Sequence, residues 1–463
     1  MRNHRAYIWS FGGRIIPQVI FLMTNIILAH YLSPDEFGQI GILALFISIS
    51  TTLTDAGFGG SLIKEKDTMP IDLSTVFVYN LIVSLTLYIL LFFCSPFIEN
   101  YYNINGLSNV TRTLCLVFVI NAWALIPKTL LIKELKFKEI AIVGVIGVCL
   151  ASVVSIIGAI KGWGVYSLVA YQIIYVLNEV ICFEILTKYK QTFHFSISSF
   201  RKLFSFGFYT TMCNIIEDAY KNIITAIFGK FLSIRDAGYI FQAQKLENAA
   251  TTSLTQTINL VAFPILTKLK HDTMAFSNEA NTLFKNICIT VFPLFWIAVF
   301  YSKPIIVLIY GPDWSEASIF LSLLMIAGFF FTMDNMIRIF IKSLGEVKSL
   351  AKYTLLKRLI GLLCILLSML LGPFYMMYGF ILSTIIGFII NTYLYGKMVN
   401  ITFINILWLS SKPLLFSMSF LPLYCGIHLI DNLYLETALL LITLSLYYFI
   451  LLPKVLKINF LKR

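Results

Sequence analysis

The chain has 463 residues, of which 59% are apolar and 13% charged, with a mean hydropathy of +0.85. Soluble domains sit at about 45–50% apolar and about 25% charged, so a soluble globular protein is excluded and an all-α polytopic membrane protein is indicated. The net charge of +12 would suggest nucleic acid in a soluble protein, but here the placement of the charges accounts for it and no nucleic-acid partner is expected.

A membrane-crossing helix needs roughly 20 mostly apolar residues. On that measure about fourteen spans are predicted, at 7–31, 38–63, 74–97, 107–130, 140–160, 163–187, 203–229, 238–266, 284–308, 316–341, 351–371, 375–397, 402–428 and 434–453. The basic start, Met1-Arg2-Asn3-His4-Arg5, precedes a long apolar stretch with no small-residue cleavage site, which predicts an uncleaved first helix. Alternate gaps between spans are basic: Lys64 and Lys66, Lys133 to Lys138, Lys188 to Lys202, Lys268 and Lys270, then Lys342 to Arg358. The gaps opposite carry Asp35, Glu36, Glu99, Asp236, Asp313 and Glu316. Basic loops face the cytoplasm, so both termini are expected there, in a bacterial cytoplasmic membrane.

The sequence echoes itself. Leu32-Ser33-Pro34-Asp35-Glu36-Phe37-Gly38 returns as Leu232-Ser233-Ile234-Arg235-Asp236-Ala237-Gly238, and the helices before them share Ser10-Phe11-Gly12 and Ser205-Phe206-Gly207. Ile132-Lys133-Glu134-Leu135 pairs with Ile341-Lys342-Ser343-Leu344 at nearly the same offset. Six spans separate the copies. An even number makes the repeats parallel, related by an axis along the membrane normal, and duplicated transporters place the ligand between such halves. The predicted division is a six-helix lobe at 1–190, a second at 203–400, and two further spans with a basic tail at 401–463.

Charges within spans normally face a partner or a water-filled cavity. The basic ones are Arg14, Arg112, Lys221, Lys245 and Arg338, and the acids include Asp55, Glu179, Asp218, Glu247 and Asp334. Gln242, Lys245, Thr252, Gln256 and Asn259 form one stripe at helical spacing, and Asn214, Asp218, Lys221 and Thr225 another. Gln172, Tyr175 and Glu179 make a third, shorter one. Arg14, Lys221 and Lys245, with Arg112, Arg338, Gln242, Gln256 and Asn259, are the candidate substrate-binding set, because phosphate oxygens take charge-assisted bonds from Arg and Lys. Asp55, Glu179, Asp218 and Asp334 are the candidates for coupling or charge balance. Plainer readings stand beside these: Asp218 with Lys221 and Asp334 with Arg338 are spaced for neutralisation along one helix, and Arg112 and Arg338 are placed to snorkel. Pro17, Pro127, Pro264 and Pro293 are candidate kinks.

Eight cysteines lie scattered through or beside apolar segments without a CxxC or Cys/His cluster, so neither disulfide nor metal is expected. No Walker A sequence is present. No catalytic set sits in an outer loop, no cofactor is implied, and the chain does not read as an enzyme.

The stretches Ala29 to Gly38, Thr54-Asp55-Ala56-Gly57-Phe58-Gly59-Gly60 to Ile63, Ile126-Pro127 to Lys138, and Phe228-Gly229-Lys230 to Leu266 together resemble the polysaccharide-transport (Wzx-type) flippases of the multidrug/oligosaccharidyl-lipid/polysaccharide exporter superfamily. The resemblance implies a V-shaped two-lobed alternating-access fold. It also implies movement of undecaprenyl-diphosphate-linked oligosaccharide to the outer leaflet for surface polysaccharide, with a polymerase and a chain-length regulator as further partners. Many relatives carry an arginine where this chain has Gln242, and Lys245 stands one turn further along the same face. The rival readings are a lipid II flippase, a cation-coupled drug exporter, which would want a cavity richer in acids, and a membrane polymerase, which would want a large outer loop.

Overall fold

The structure, a computed structural model, describes residues 2–65, 68–399 and 442. The predicted spans at 402–428 and 434–453 lie outside the described residues. What is described is helical, and the first twelve predicted spans each coincide with a helix or a pair of consecutive helices.

The helices are α1 (Arg2–Ala29), α2 (Pro34–Asp55), α3 (Phe58–Lys64), α4 (Pro70–Tyr102), α5 (Leu107–Leu114), α6 (Leu116–Lys133), α7 (Phe137–Ile160), α8 (Tyr166–Thr187), α9 (Ile197–Phe231), α10 (Ile234–Lys268), α11 (Thr273–Phe300), α12 (Ser302–Tyr310), α13 (Ala317–Ser343), α14 (Val347–Met369) and α15 (Met376–Val399). Among the described residues, eight helical stretches are long and apolar enough to cross a membrane by length and composition. Pro17, Pro127, Pro264 and Pro293 all lie inside helices.

Three predicted spans are broken. The second divides into α2 and α3 at Ala56 and Gly57, both left-handed, with φ of 45° and 71°. The ninth divides into α11 and α12 just before Ser302-Lys303-Pro304, since proline has no N–H to continue the ladder and fits only a first helical turn. The fourth divides at Cys115, which stays in the right-handed helical region.

The chain forms two compact units, Met1–Phe241 and Gln242–Arg463, and the division falls within α10. In the first unit α7 packs on α1 and α8, α6 on α4 and α8, and α9 lies along α2. A core forms at one end of it, where Phe58 meets Tyr79 edge-on at 4.9 Å and Phe77 meets Trp123 at 5.1 Å. In the second unit α13 packs on α11 and α15, and α14 on α15.

The echo is two copies of one helix start. The Ser33 backbone N–H donates to Glu36 Oε2 (2.7 Å), and Ser233 and Asp236 exchange bonds of 2.6 and 3.0 Å. Each acid lies three residues after its serine and satisfies a donor group at the helix start. The two starts then cross within the first unit. A Cβ on Gly38 would overlap the Ile234 carbonyl, and one on Gly238 would overlap the Pro34 carbonyl. The second echo is a shared helix end. Lys136 N bonds Leu131 O (2.9 Å) and Glu346 N bonds Ile341 O (3.4 Å), with Leu135 and Gly345 left-handed between. These ends therefore align one position further along than the tetrapeptides do.

Candidate functional site

α9 and α2 are joined by a polar seam. Thr52 donates to Asp218 Oδ2 at 2.6 Å, and Asn222 Nδ2 donates to Ser48 Oγ at 3.1 Å. Since 218 meets 52 and 222 meets 48, the helices run antiparallel. Asn222 also holds the Asp218 carbonyl at 2.9 Å. Further along the same seam, a Cβ on Gly41 would lie 2.9 Å from Thr225 Cγ2. Small and hydroxyl side chains let helices in lipid approach closely and bond across the gap. Asp218 and Thr225 of the α9 stripe thus face α2, while Lys221 is exposed.

Elsewhere in the first unit, Glu179 is buried on α8, 2.9 Å from Lys128 Nζ on α6 and 3.3 Å from the Tyr175 hydroxyl one turn earlier. Arg112 donates to Ser95 Oγ (2.9 Å) and lies 4.5 Å from the Phe92 ring centre, both on α4. Asp55 accepts from Gly59 N–H at 3.3 Å, across the turn from α2 into α3. Arg14 stands on α1, and its side chain lies outside what the structure describes.

In the second unit the α10 stripe changes character along its length. Gln242 is fully buried and neither atom of its amide has a hydrogen-bond partner among the described residues; Lys245 and Gln256 are half-buried, and Asn259 is exposed. α10 approaches α13 at Gly328, where a Cβ would lie 2.7 Å from Glu247 Oε1.

Among the described residues of this unit the most buried charges sit on two helices and bond to an amide on a third. Asp334 on α13 pairs with Lys357 on α14 and accepts from Asn391 Nδ2 on α15 at 2.5 Å. All three are at most 5% exposed, and Arg358 is buried beside them. Arg338 reaches Asn335 Oδ1 at 3.5 Å. Sequence reasoning counted Lys357 and Arg358 among the loop charges. The signal that places them deeper is the turn at Gly345, since α14 begins directly after it and Lys357 then lies ten residues, about 15 Å, into the helix. An apolar cavity of about 190 Å³ lies between α11 and α13, lined by Trp296, Met325, Phe329 and Phe330 among others. It offers room for hydrocarbon and no polar group for a headgroup.

Six of the twelve candidate residues lie on the first unit and six on the second. Six of these twelve, Asp55, Arg112, Glu179, Asp218, Asp334 and Arg338, bond to residues with which the sequence did not pair them: Gly59, Ser95, Lys128, Thr52, Lys357 with Asn391, and Asn335. No group of three or more His, Cys, Asp or Glu residues suited to a metal occurs among the described residues. Among the described residues the candidate helices carry both cations and acids, and Lys128 and Lys357 are paired with Glu179 and Asp334.

The lipopolysaccharide biosynthesis protein WzxC of Escherichia coli (strain K12) is 23% identical over 401 residues, covering 84% of this chain and 80% of that protein. The succinoglycan biosynthesis transport protein ExoT of Rhizobium meliloti (strain 1021) is 20% identical over 343 residues, 73% of this chain and 68% of that one. Among solved structures, the lipid II flippase MurJ in an inward closed conformation superposes with a TM-score of 0.72 at 17% identity, covering 96% of this chain and 99% of that one. An inward-facing multidrug resistance MATE family transporter of the MOP superfamily superposes at 0.64, with 14% identity, 87% of this chain and 99% of that one covered. Likeness at such identity establishes the fold, an all-α membrane-transporter fold. The pattern of one family runs through α2 to α12, across both capped helix starts and the polar seam, matching residues 27–319: the chain belongs to the polysaccharide biosynthesis protein family.

Proposed function

We propose that this chain is a flippase that carries a polyprenyl-diphosphate-linked oligosaccharide from the cytoplasmic to the outer leaflet of a bacterial cytoplasmic membrane, for surface polysaccharide. The observation that carries the reading is Lys245. It is a half-buried cation on α10, on the face that also bears Gln242 and Gln256, in a chain of the polysaccharide biosynthesis protein family. A cation held within a span suits an anionic diphosphate. Arg14, Lys221 and Lys245 bind the diphosphate, and Arg112, Arg338, Gln242, Gln256 and Asn259 contact it or the sugars. Asp55, Glu179, Asp218 and Asp334 balance charge or couple transport to an ion gradient. The mechanism is rocking of a lobe at 1–190 against a lobe at 203–400. Both termini face the cytoplasm, in keeping with the alternation of basic gaps. The chain carries its substrate unchanged and is no enzyme. Its product passes to a polymerase and chain-length regulator on the outer side.

Deletion of the gene tests this. The lipid-linked unit accumulates fully assembled on the cytoplasmic leaflet, shielded from enzymes added outside. A unit found exposed on the outer leaflet of the deletion strain refutes the reading. Lys245→Ala reproduces the trapped state while the protein still inserts, and Lys245→Arg restores export. Normal export by Lys245→Ala removes this residue from the site.

A further inference from the structure

The connection between α8 and α9, residues 188–196, is non-helical backbone, left-handed at Lys188 and extended at Ser196. Non-helical backbone at membrane depth is stable only where protein satisfies it, and here several of its groups are bonded to the helices of the first unit. The Ser74 hydroxyl, one turn into α4, accepts from His194 N–H at 2.7 Å and donates to the Thr192 or His194 carbonyl. Thr75 Oγ1 accepts from Ser196 N–H at 3.1 Å. Gln191 reaches the Trp123 carbonyl of α6 at 3.4 Å, ten residues, about 15 Å, before that helix ends at Lys133. The segment therefore lies against the flank of the first unit, level with the start of its spans.

Its other side is uncovered. Phe193, Phe195 and Ile197, at alternate positions, are 66%, 49% and 64% exposed. They are backed by rings, Phe193 by Phe77 at 5.5 Å and Phe195 by Phe200 at 5.8 Å. Lys188, Lys190 and Arg201 flank them and are exposed. A pinned segment that alternates large apolar groups and ends in basic ones matches the boundary between acyl chains and headgroups. A polar partner protein would leave three large apolar side chains unmatched, whereas an anionic leaflet matches both the apolar and the basic groups.

We propose that residues 188–201 form an interfacial strap that inserts Phe193, Phe195 and Ile197 into the cytoplasmic leaflet and binds anionic phospholipid headgroups through Lys188, Lys190 and Arg201. Each basic side chain at such a surface raises affinity about fivefold, so removing two lowers it about 25-fold. This is independent of which substrate the chain carries.

The test uses the full chain with its cysteines replaced and one spin label placed by Phe193→Cys, Phe195→Cys, Ile197→Cys or Lys190→Cys, in vesicles of phosphatidylcholine with phosphatidylglycerol. Labels at 193, 195 and 197 are relaxed by oxygen and shielded from a water-soluble nickel chelate, while the label at 190 shows the reverse. Equal nickel access at all four positions overturns the proposal. The otherwise native chain supplies a second measurement. Phosphatidylglycerol raises its melting temperature in lipid discs above that in phosphatidylcholine alone. The variant Lys188→Gln with Lys190→Gln loses most of that rise, and high salt removes it. An equal rise in variant and parent overturns the anionic-headgroup contact.

Discussion

The cluster of Asp334, Lys357 and Asn391 is where a single substitution has the largest consequence for stability. The two charged side chains are 5% and 4% exposed, so neither recovers hydration when its partner is removed. Deleting one member of a buried pair costs about 3–5 kcal/mol, because the remaining charge is left uncompensated. Lys357→Met and Asp334→Leu each therefore lower the folded-to-unfolded ratio by a factor of at least about 100. Replacing both at once removes the unpaired charge, and an apolar pair of similar volume is neutral or stabilising. The double variant Asp334→Leu with Lys357→Met should regain most of the loss, leaving the orphaned Asn391 amide at about 1–3 kcal/mol and Arg358, buried beside the pair, with one neighbouring carboxylate fewer. The assay is equilibrium unfolding in mixed micelles, read as a double-mutant cycle. A coupling below about 0.5 kcal/mol, the scale on which independent sites add, would refute the reasoning, as would a double variant less stable than either single one. Transport supplies the second axis. If the double variant folds and exports, the pair is structural; if it folds and fails, the charges take part in the cycle.

Further expectations follow from individual contacts. Thr52→Val removes the donor to Asp218 and should cost about 1–3 kcal/mol, while Asp218→Asn, which keeps an acceptor there, should be milder in thermal unfolding; loss of export by a stable Asp218→Asn would assign the charge to transport. Lys128→Ala should lower the melting temperature more than Glu179→Ala, since it strands a buried carboxylate without its partner, whereas the lysine left by Glu179→Ala is 39% exposed and can be hydrated. The reverse order would mean that Glu179 has another compensating partner. Gly38→Ala and Gly238→Ala should each destabilise by about 1–3 kcal/mol through overlap with a backbone carbonyl, whereas Gly60→Ala, with nothing within 4 Å of the added carbon, should be neutral or slightly stabilising. Equal melting temperatures for all three would remove the crossing of the two helix starts.

The spans were legible because a run of some twenty apolar residues has few alternatives to a membrane helix. Interruptions were not, since a window average passes over two left-handed residues at Ala56 and Gly57 or a proline three residues into α12. The charged stripes were legible by periodicity, and their partners were not. Asp218 meets Thr52, 166 residues away, and Asp334 meets Lys357 and Asn391, at 23 and 57 residues. Spacing along one helix could only offer Lys221 and Arg338. Tertiary packing decides such pairs, and the sequence carries that decision only diffusely. Lys357 shows the same limit at a boundary: it falls inside the predicted span 351–371 yet is counted with the basic gap before it, and only the helix start at Val347 sets it deep.

The echo has a consequence that neither copy shows alone. Pro34 meets Gly238, and Ile234 meets Gly38. An exchange of 34–38 with 234–238 maps this contact onto itself, which is the property of an isologous interface, in which one patch serves both partners. Two copies of a segment within one chain can form such a contact only if both enter it from the same side of the membrane. Six spans separate the start of α2 from that of α10, counting each broken pair once, and an even number returns the chain to the side it left. The parallel repeat inferred from span counting and the reciprocal glycine contact are thus independent statements of one geometry. The capping serine and acid hold each helix start, and the glycine four residues after the proline or isoleucine lets the other start lie against it. The recurring letters Ser, acid and Gly are the ones that this crossing uses, and the residues between them, Pro34-Asp35 against Ile234-Arg235, are free to differ.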